Sequence, residues 1–170
     1  LRSVARLNRP AVYVDSGSTD GSVELARTMG MNVISLDMRL PFTAARSRNE
    51  GFRRLRELTD AIYVQFVDGD CELMGEWLPK AAVFLDGNPD VAVVSGRLRE
   101  RNRERTLYNL LCDIEWDKPV GEVKACGGVA MVRSSAFDSA QGFRDDMIAG
   151  EEPELCVRLR ASGWRIWNLS

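Results

Sequence analysis

The chain has 170 residues and a net charge of −2 at pH 7; 45% of its residues are hydrophobic and 28% are charged. This composition is ordinary for a globular domain, and it provides no global basic field that would attract nucleic acid or an anionic membrane. No apolar run reaches the roughly 20 residues that span a bilayer. The absence of histidine excludes Ser-His-Asp and Cys-His catalysis.

Strand and helix patterns alternate along the chain. The first ten residues, LRSVARLNRP, are typical of the end of a helix that stops before Pro10. Strands are predicted at 11–14, 32–36, 61–67, 91–99, 125–132 and 164–167. Helices are predicted at 19–30, 43–58, 74–88, 99–116 and 151–163. The alternation predicts an α/β fold, with one domain over residues 1–170 and a mostly parallel sheet flanked by helices.

The two ends of the chain lead us to expect a longer protein. A domain rarely begins with the end of a helix, so we expect that an N-terminal strand is missing before the first residue. The last stretch, WRIWNLS, is strand-like and ends abruptly. We therefore expect truncation at both ends, and membrane association of the full-length protein stays open.

The four cysteines favour reduced thiols over a metal site. Cys71, Cys112, Cys126 and Cys156 are scattered without a C-x-x-C pair, and no histidine is present to complete a zinc site. We predict buried reduced thiols in a cytoplasmic protein. Any catalytic acid or base must then be a carboxylate, a lysine, a tyrosine or a cysteine.

An Asp-Gly-Asp stretch follows the apolar run that ends at Val67. Ligands bind at the carboxyl ends of the strands in an open α/β sheet. Asp68 and Asp70 would point to the same side of an extended segment, and Gly69 would allow a ligand to approach closely. Two close carboxylates repel unless a cation neutralises them, and Mg²⁺ or Mn²⁺ suits their oxygens. The alternative interpretation is a solvated β-turn, in which Asp-Gly-Asp is common.

An earlier strand ends in Asp15 and continues into the loop of VDSGSTDGS before a helix. This loop resembles a phosphate-binding loop, but it has neither G-x-G-x-x-G nor a Walker lysine, which removes dinucleotide and P-loop sites. Asp15 can accept a hydrogen bond from a base or a ribose. Ser18, Thr19 and Asp20 are better explained as helix-capping residues.

Four stretches carry a family resemblance: VDSGSTDGS, RSRNEGF, VQFVDGDCEL and GEEPELCVRLRASGW. Their order and spacing resemble glycosyltransferase family 2, whose members have the GT-A fold, and the resemblance covers nearly the whole chain. It implies an inverting transfer of a sugar from a nucleoside-diphosphate sugar to a hydroxyl group, assisted by a divalent metal. The acceptor would be a glycan, a lipid or a small molecule.

The resemblance also implies roles for individual residues. Asp15 would contact the base or ribose of the donor, and Arg48 would lie near the nucleotide. Asp70 would coordinate the metal. Asp68 would share the metal or hold the ribose, with Gly69 beside the donor.

The acidic stretch before Leu155 is the candidate for the catalytic base. By resemblance Glu152 would be the base, and Glu151 is the alternative. The family usually has aspartate at this position, and glutamate is one methylene longer. We expect the helix dipole to lower the pKa of Glu152. From physics alone, acidic residues beside Pro153 are also explained as an ordinary first helical turn.

The stretch ACGGVAMVRSSAF resembles the segment that lines the acceptor side in this family. Gly127 and Gly128 would let an acceptor approach, although a bulge in a strand explains them equally well.

Three other functions compete with sugar transfer. A haloacid dehalogenase-type phosphatase also places D-x-D after an apolar strand, but its motif continues to threonine or valine where this chain has Glu72. A nucleotidyltransferase shares the α/β nucleotide site. A non-catalytic module that binds a nucleotide-sugar or a glycan is the third alternative.

Overall fold

The computed structural model describes residues 1–169. Short helices and strands alternate along this part of the chain, and none of its helices is long and apolar enough to cross a membrane. In chain order the elements are α1 (Arg2–Ala5), β1 (Val12–Asp15), α2 (Ser22–Thr28), β2 (Asn32–Ser35), α3 (Ala44–Leu58), β3 (Tyr63–Gln65), α4 (Trp77–Gly87), β4 (Val91–Ser95), α5 (Leu107–Glu115), β5 (Gly121–Glu122), β6 (Ala130–Arg133), α6 (Ser134–Ser139), α7 (Glu151–Ala161) and β7 (Arg165–Asn168).

Most predicted elements are present with shifted bounds, and the largest shift is at α5. This helix begins at Leu107 rather than at residue 99, because Thr106 caps it by accepting a hydrogen bond from the N–H of Asn109 (3.1 Å). β5 and α6 were not predicted, since elements of two and six residues are too short to show a period.

The strands form a parallel β1–β2 pair and a five-stranded sheet with the order β3-β6-β4-β7-β5. β4 pairs with β7 in parallel, whereas β6 runs antiparallel to both β3 and β4, and β5 runs antiparallel to β7. The α/β class and the central sheet flanked by helices are confirmed. The expected mostly parallel pairing is corrected to a mixed sheet.

Ion pairs join α5 to the segment that follows β4. Asp113 on α5 is 2% exposed and pairs with Arg99 (2.9 Å) and Arg103 (3.5 Å), which both belong to the segment after β4. The short strand β5, which follows α5, is antiparallel to β7, and β6 is antiparallel to β4.

The core lies on both faces of β4, whose five residues are all buried. One face packs against α3, α6 and α7 through aromatic side chains, and the ring centroids of Phe52 and Phe137 are 4.5 Å apart. The other face packs against α4, where Leu85 is fully buried. Both α3 and α7 begin near the edge of the sheet where β3 ends, and this arrangement brings their first turns close to the Asp-Gly-Asp stretch.

Candidate active site

The Asp-Gly-Asp stretch forms a β-turn over residues 68–71, shortly after the end of β3 at Gln65, so the alternative of a β-turn is present and the expected extended geometry is wrong. The N–H of Cys71 donates to the carbonyl of Asp68 (3.0 Å), which closes the turn. The Asp70 residue is exposed, and the Asp68 side chain is 41% exposed. Nothing in the described part of the chain lies within 4 Å of a Cβ built on Gly69. The turn therefore presents both carboxylates at an open edge of the sheet.

Arg48 joins this turn to the acidic start of α7. Its Nη2 donates to Oδ1 of Asp68 (2.8 Å), and its Nη1 lies 2.6 Å from Oε1 of Glu151 and 3.0 Å from Oε1 of Glu152. Burial lowers the pKa of Arg48, but the three carboxylates raise it by more, so the guanidinium stays charged. One guanidinium group, on a side chain that is 13% exposed, thus connects three carboxylates from two separate segments.

Two contacts fix the part of α3 that carries Arg48. Thr43 caps the helix, and its Oγ1 accepts a hydrogen bond from the N–H of Arg46 (3.0 Å). Gly51 lies against β1, where a Cβ would be 3.0 Å from Cγ2 of Val14. A larger residue at this position would push α3 away from the sheet and move Arg48 with it.

Asn49 anchors the loop that precedes α7. Its Nδ2 donates to the carbonyl of Phe143 (2.8 Å), and its Oδ1 accepts from the N–H of the same residue (3.0 Å). Its Nδ2 also lies 2.7 Å from Oδ1 of Asp145. The adjacent pair Arg48 and Asn49 therefore has divided roles: the arginine binds carboxylates, and the asparagine holds the loop that leads to two of them.

The start of α7 directs two glutamates toward Arg48. Gly150 at the N-cap has φ +85°, a left-handed conformation that glycine adopts without the strain of a side chain. Glu151 is buried, with its side chain 6% exposed, whereas the side chain of Glu152 is 16% exposed. Of the two candidate bases, Glu152 is thus the more accessible to a substrate.

The pKa of Glu152 is raised above its ordinary value of 4.5, chiefly by burial. Its own backbone N–H and Arg48 lower this pKa, and the charges of Glu151 and Asp68 raise it further. The expectation that the helix dipole would lower the pKa is therefore wrong in direction, because burial outweighs the stabilising groups. A raised pKa makes the ionised carboxylate a stronger base.

Gly128 makes room for the ion pair between Arg48 and Asp68. A Cβ at this position would be 2.5 Å from both Nη2 of Arg48 and Oδ2 of Asp68. A Cβ on Gly127 would meet nothing within 4 Å in the described part of the chain. The sequence indicated close approach of an acceptor at these glycines, and the structure shows that at Gly128 the close neighbours belong to the site itself.

The carboxylate of Asp15 is engaged by its own loop. Its Oδ2 accepts from the N–H of Gly17 (2.9 Å), and both oxygens accept from the N–H of Ser18 (3.3 and 3.2 Å). Burial raises the pKa of Asp15, but the hydrogen bonds from Ser18 and Gly17 lower it by more, to below 3.8. The contact of Asp15 with a base or ribose stays a prediction.

We expect Asp15→Ala to lower the free energy of unfolding by about 1–3 kcal/mol, because two backbone N–H groups lose a charged acceptor. Asp15→Asn keeps one acceptor oxygen and should lose less. The pKa of Asp15 is depressed in the folded chain, so its contribution is present at neutral pH and is lost as the pH falls below 3.8. Urea unfolding of the wild type and both variants at pH 7 and pH 3 measures the loss of unfolding free energy and its pH dependence. An equal loss at the two pH values would contradict this role of the Asp15 carboxylate.

The residues of the turn fit a hard divalent cation shared with a phosphate ligand. Within residues 1–169, no group of three or more His, Cys, Asp or Glu side chains is placed to hold a metal by itself. Mg²⁺ is commonly bound by one or two carboxylates together with substrate phosphates and water. Asp70 and Asp68 supply such carboxylates. Cys71 does not compete, because burial and the charge of Asp70 raise the pKa of its thiol to about 11.

Most of the predicted site residues lie at one edge of the sheet. The ion-paired cluster consists of Arg48, Asp68, Glu151 and Glu152, with Gly69 and Asp70 in the adjoining turn. Asp15 is the last residue of β1 in the separate parallel pair of strands, and its hydrogen bonds go to the loop that follows it. Sequence reasoning missed the anchoring role of Asn49, for which its position beside Arg48 was the available signal. It also missed that Gly128 packs against the cluster.

Comparisons with known proteins agree with this fold. The family model described as Glycosyl transferase family 2 matches residues 1–137. The mannosyltransferase PcManGT from Pyrobaculum calidifontis, solved in complex with GDP-Man and Mn2+, has a TM-score of 0.72 and 19% identity over 99% of this chain and 49% of that chain. A197 from STIV has a TM-score of 0.59 and 19% identity over 95% of this chain and 82% of that chain. No match was found among curated protein sequences.

The extent of these matches limits what each one shows. The chain spans about half the length of the mannosyltransferase, and at 19% identity the likeness shows the GT-A fold alone. The family match includes Arg48 and the Asp-Gly-Asp turn but ends at residue 137, before the two glutamates of α7. Because this match covers most of the chain and the fold agrees with it, the chain belongs to glycosyl transferase family 2.

Proposed function

We propose that this chain is the catalytic part of an inverting glycosyltransferase that uses a nucleoside-diphosphate sugar and Mg²⁺ or Mn²⁺. One observation carries the proposal: the exposed Asp-Gly-Asp turn and the partly buried Glu152 are joined through a single arginine, at 2.8 and 3.0 Å. Because PcManGT was solved with GDP-Man and Mn2+, GDP-mannose is the first donor to test. The proposal includes a cytoplasmic location, where reduced cysteines are stable.

The site divides into a donor side and an acceptor side. On the donor side, Asp68 and Asp70 would hold the metal, whose chemistry when bound is to neutralise charge on the leaving diphosphate. On the acceptor side, Glu152 forms an ion pair with Arg48 through Oε1, and its carboxylate would take the proton of the acceptor hydroxyl. The hydroxyl oxygen attacks the anomeric carbon while the bond to the diphosphate breaks. A single displacement inverts this centre, so one base suffices and no covalent nucleophile is needed.

A non-catalytic module that binds a nucleotide-sugar or a glycan is the second candidate, because Asp68 and both glutamates are already paired with Arg48 within the chain. Family membership argues against the phosphatase and nucleotidyltransferase alternatives. Release of nucleoside diphosphate from a donor separates the enzyme from the binding module, because a binding module would be stabilised by the donor without consuming it.

We expect one nucleoside-diphosphate sugar with Mn²⁺ to raise the melting temperature, and Asp70→Asn to abolish the part that depends on Mn²⁺. A ligand at 100 times its Kd stabilises a folded chain by about 2.7 kcal/mol, which thermal unfolding detects readily. The screen compares UDP-, GDP- and dTDP-sugars with and without Mn²⁺. Glu72→Gln is the control, since this exposed residue pairs with Arg101 outside the cluster. If Mn²⁺ raises the melting temperature of Asp70→Asn as much as that of the wild type, Asp70 does not bind the metal.

A further inference from the structure

We propose that Arg48 is a positioning residue for the base: it holds Glu152 in the orientation needed for proton removal and does not bind the nucleotide. The proposal rests on the proposed function, and it departs from the nucleotide contact that the family resemblance implies for this arginine. Its basis is the set of contacts that the guanidinium makes within the chain.

The guanidinium of Arg48 is committed to the protein's own carboxylates. Nη1 is shared by Glu151 (2.6 Å) and Glu152 (3.0 Å), and Nη2 is bound to Asp68 (2.8 Å). The backbone of Gly128 packs closely against Nη2 of Arg48. A Cβ atom added to Gly128 would lie only 2.5 Å from this nitrogen. An arginine that binds a donor phosphate needs an open face for a bidentate contact. With its side chain 13% exposed, Arg48 has little such surface.

The remaining side of Arg48 is also covered. Its guanidinium carbon lies 5.7 Å from the centroid of the Phe143 ring, within the range of a cation–π contact. Phe143 is itself held by Asn49, the residue after Arg48. The guanidinium is thus fixed from several directions, which is what a group that orients another side chain requires.

Glu152 needs such an orienting group because of its length. The glutamate side chain has three rotatable bonds, so its carboxylate can take many positions. A freely rotating carboxylate would spend much of its time away from the acceptor hydroxyl, and a misplacement of about 1 Å can lower a rate roughly 100-fold. Nη1 of Arg48 lies 3.0 Å from Oε1 of Glu152 in an ion pair, and this attraction favours the orientation of Glu152 in which its carboxylate faces the guanidinium.

The test separates orientation of the base from binding of the nucleotide. We expect Arg48→Met to lower kcat roughly 100-fold while the Kd for GDP or UDP changes less than about twofold. This Kd is measured by titration calorimetry without metal, because Arg48 also pairs with Asp68. Turnover is measured as transfer, or as donor hydrolysis where the acceptor is unknown. Arg53→Met is the matched control, because Arg53 lies on the same helix in an exposed pair with Glu50 (2.5 Å). It should change neither quantity.

Two further variants guard against a simple folding defect. Arg48→Lys keeps the positive charge but lacks the two-pronged guanidinium group, so its kcat should lie between those of Arg48→Met and the wild type. Arg48→Met combined with Glu151→Gln removes the buried charge that would otherwise be left unpaired, and it should fold while kcat stays low relative to Glu151→Gln alone. If kcat returns to the level of Glu151→Gln, Arg48 supports folding and the positioning role is wrong.

The outcomes distinguish this proposal from the proposed function. A rise in the Kd of the nucleotide with unchanged kcat would make Arg48 a nucleotide contact and overturn the positioning role. If the wild-type chain neither binds nor turns over any donor, the proposed function fails. The contact itself is then decided by thermal unfolding of Arg48→Met, Glu152→Gln and the double variant. Additive changes in melting temperature would show that Arg48 does not hold Glu152, and non-additive changes would support the contact.

Discussion

Glu152→Gln is expected to lower the rate of sugar transfer by roughly 10²- to 10⁴-fold, the range for the loss of a general base. The substitution keeps the size of the side chain and an oxygen that can accept from Arg48, so the geometry of the cluster is retained. It removes the group that takes the proton of the acceptor hydroxyl. Initial rates at saturating donor measure the effect, and circular dichroism checks that the fold is intact.

The pH dependence of the wild-type enzyme should report the same residue. The base acts when ionised, so kcat/KM falls as the pH decreases through its pKa. Burial raises the pKa of Glu152, and the acidic limb of the profile is therefore expected above pH 4.5. The residual activity of Glu152→Gln should lack this acidic limb.

The same substitution should also affect stability. A carboxyl with a raised pKa lowers the stability of the folded state when it is ionised, so removal of the Glu152 charge should raise the free energy of unfolding at neutral pH.

Two glutamates of the same helix provide controls for this prediction. Glu154 pairs with Arg158 (2.6 Å), away from the Arg48 cluster, and Glu154→Gln should keep nearly the wild-type rate. Glu151→Gln tests the alternative base. If Glu151→Gln abolishes transfer while Glu152→Gln does not, the roles of the two residues are exchanged. If both variants remain fully active, α7 does not supply the base.

The candidate site could be predicted from the sequence where local signals were strong. An apolar run that ends in Asp-Gly-Asp predicts carboxylates at a strand end, and two glutamates before Pro153 predict an acidic helix start. Arg48 gave a weaker signal, because an arginine on an amphipathic helix is most often solvated. Only the family resemblance selected it, and the contacts that explain its position join residues 20 and 103 positions apart.

The parts that could not be predicted depend on packing between distant segments. The antiparallel direction of β6 depends on its pairing with β3 and β4, which lie far away in the sequence and leave no local signal. The direction of the pKa shift of Glu152 depends on how deeply α7 buries it. A local argument about the helix dipole gives the opposite sign. Two adjacent glycines at 127 and 128 suggest that another group approaches the backbone closely. They do not indicate which of the two glycines is crowded or which residues crowd it.

Gly128→Ala is expected to lower the free energy of unfolding by about 1–3 kcal/mol and the rate of transfer roughly 100-fold. The added methyl group would be 2.5 Å from both Nη2 of Arg48 and Oδ2 of Asp68, so the ion pair must separate or the backbone must move. Gly128 does not have a positive φ, so alanine brings no backbone strain of that kind and the effect reports the crowding. Urea unfolding and initial rates measure the two quantities.

Gly127→Ala is the matched control for this substitution. It adds the same methyl group one residue earlier, where nothing in the described part of the chain lies within 4 Å and φ is not positive either. Its stability and rate should stay close to those of the wild type. Equal losses in the two variants would mean that the loop needs glycine for flexibility, and the packing role of Gly128 would be wrong.

The same crowding makes a prediction about Gly128→Ala in a second background. Arg48→Lys removes Nη2, one of the two atoms that the new methyl group would approach most closely. The additional loss of stability caused by Gly128→Ala should therefore be smaller in the lysine background than in the wild type, because residues in contact give non-additive effects. A double-mutant cycle by urea unfolding measures the difference. If the loss of stability is the same in both backgrounds, the methyl group acts on something other than the guanidinium. The inference that Gly128 influences the base through its contact with Arg48 would then be wrong.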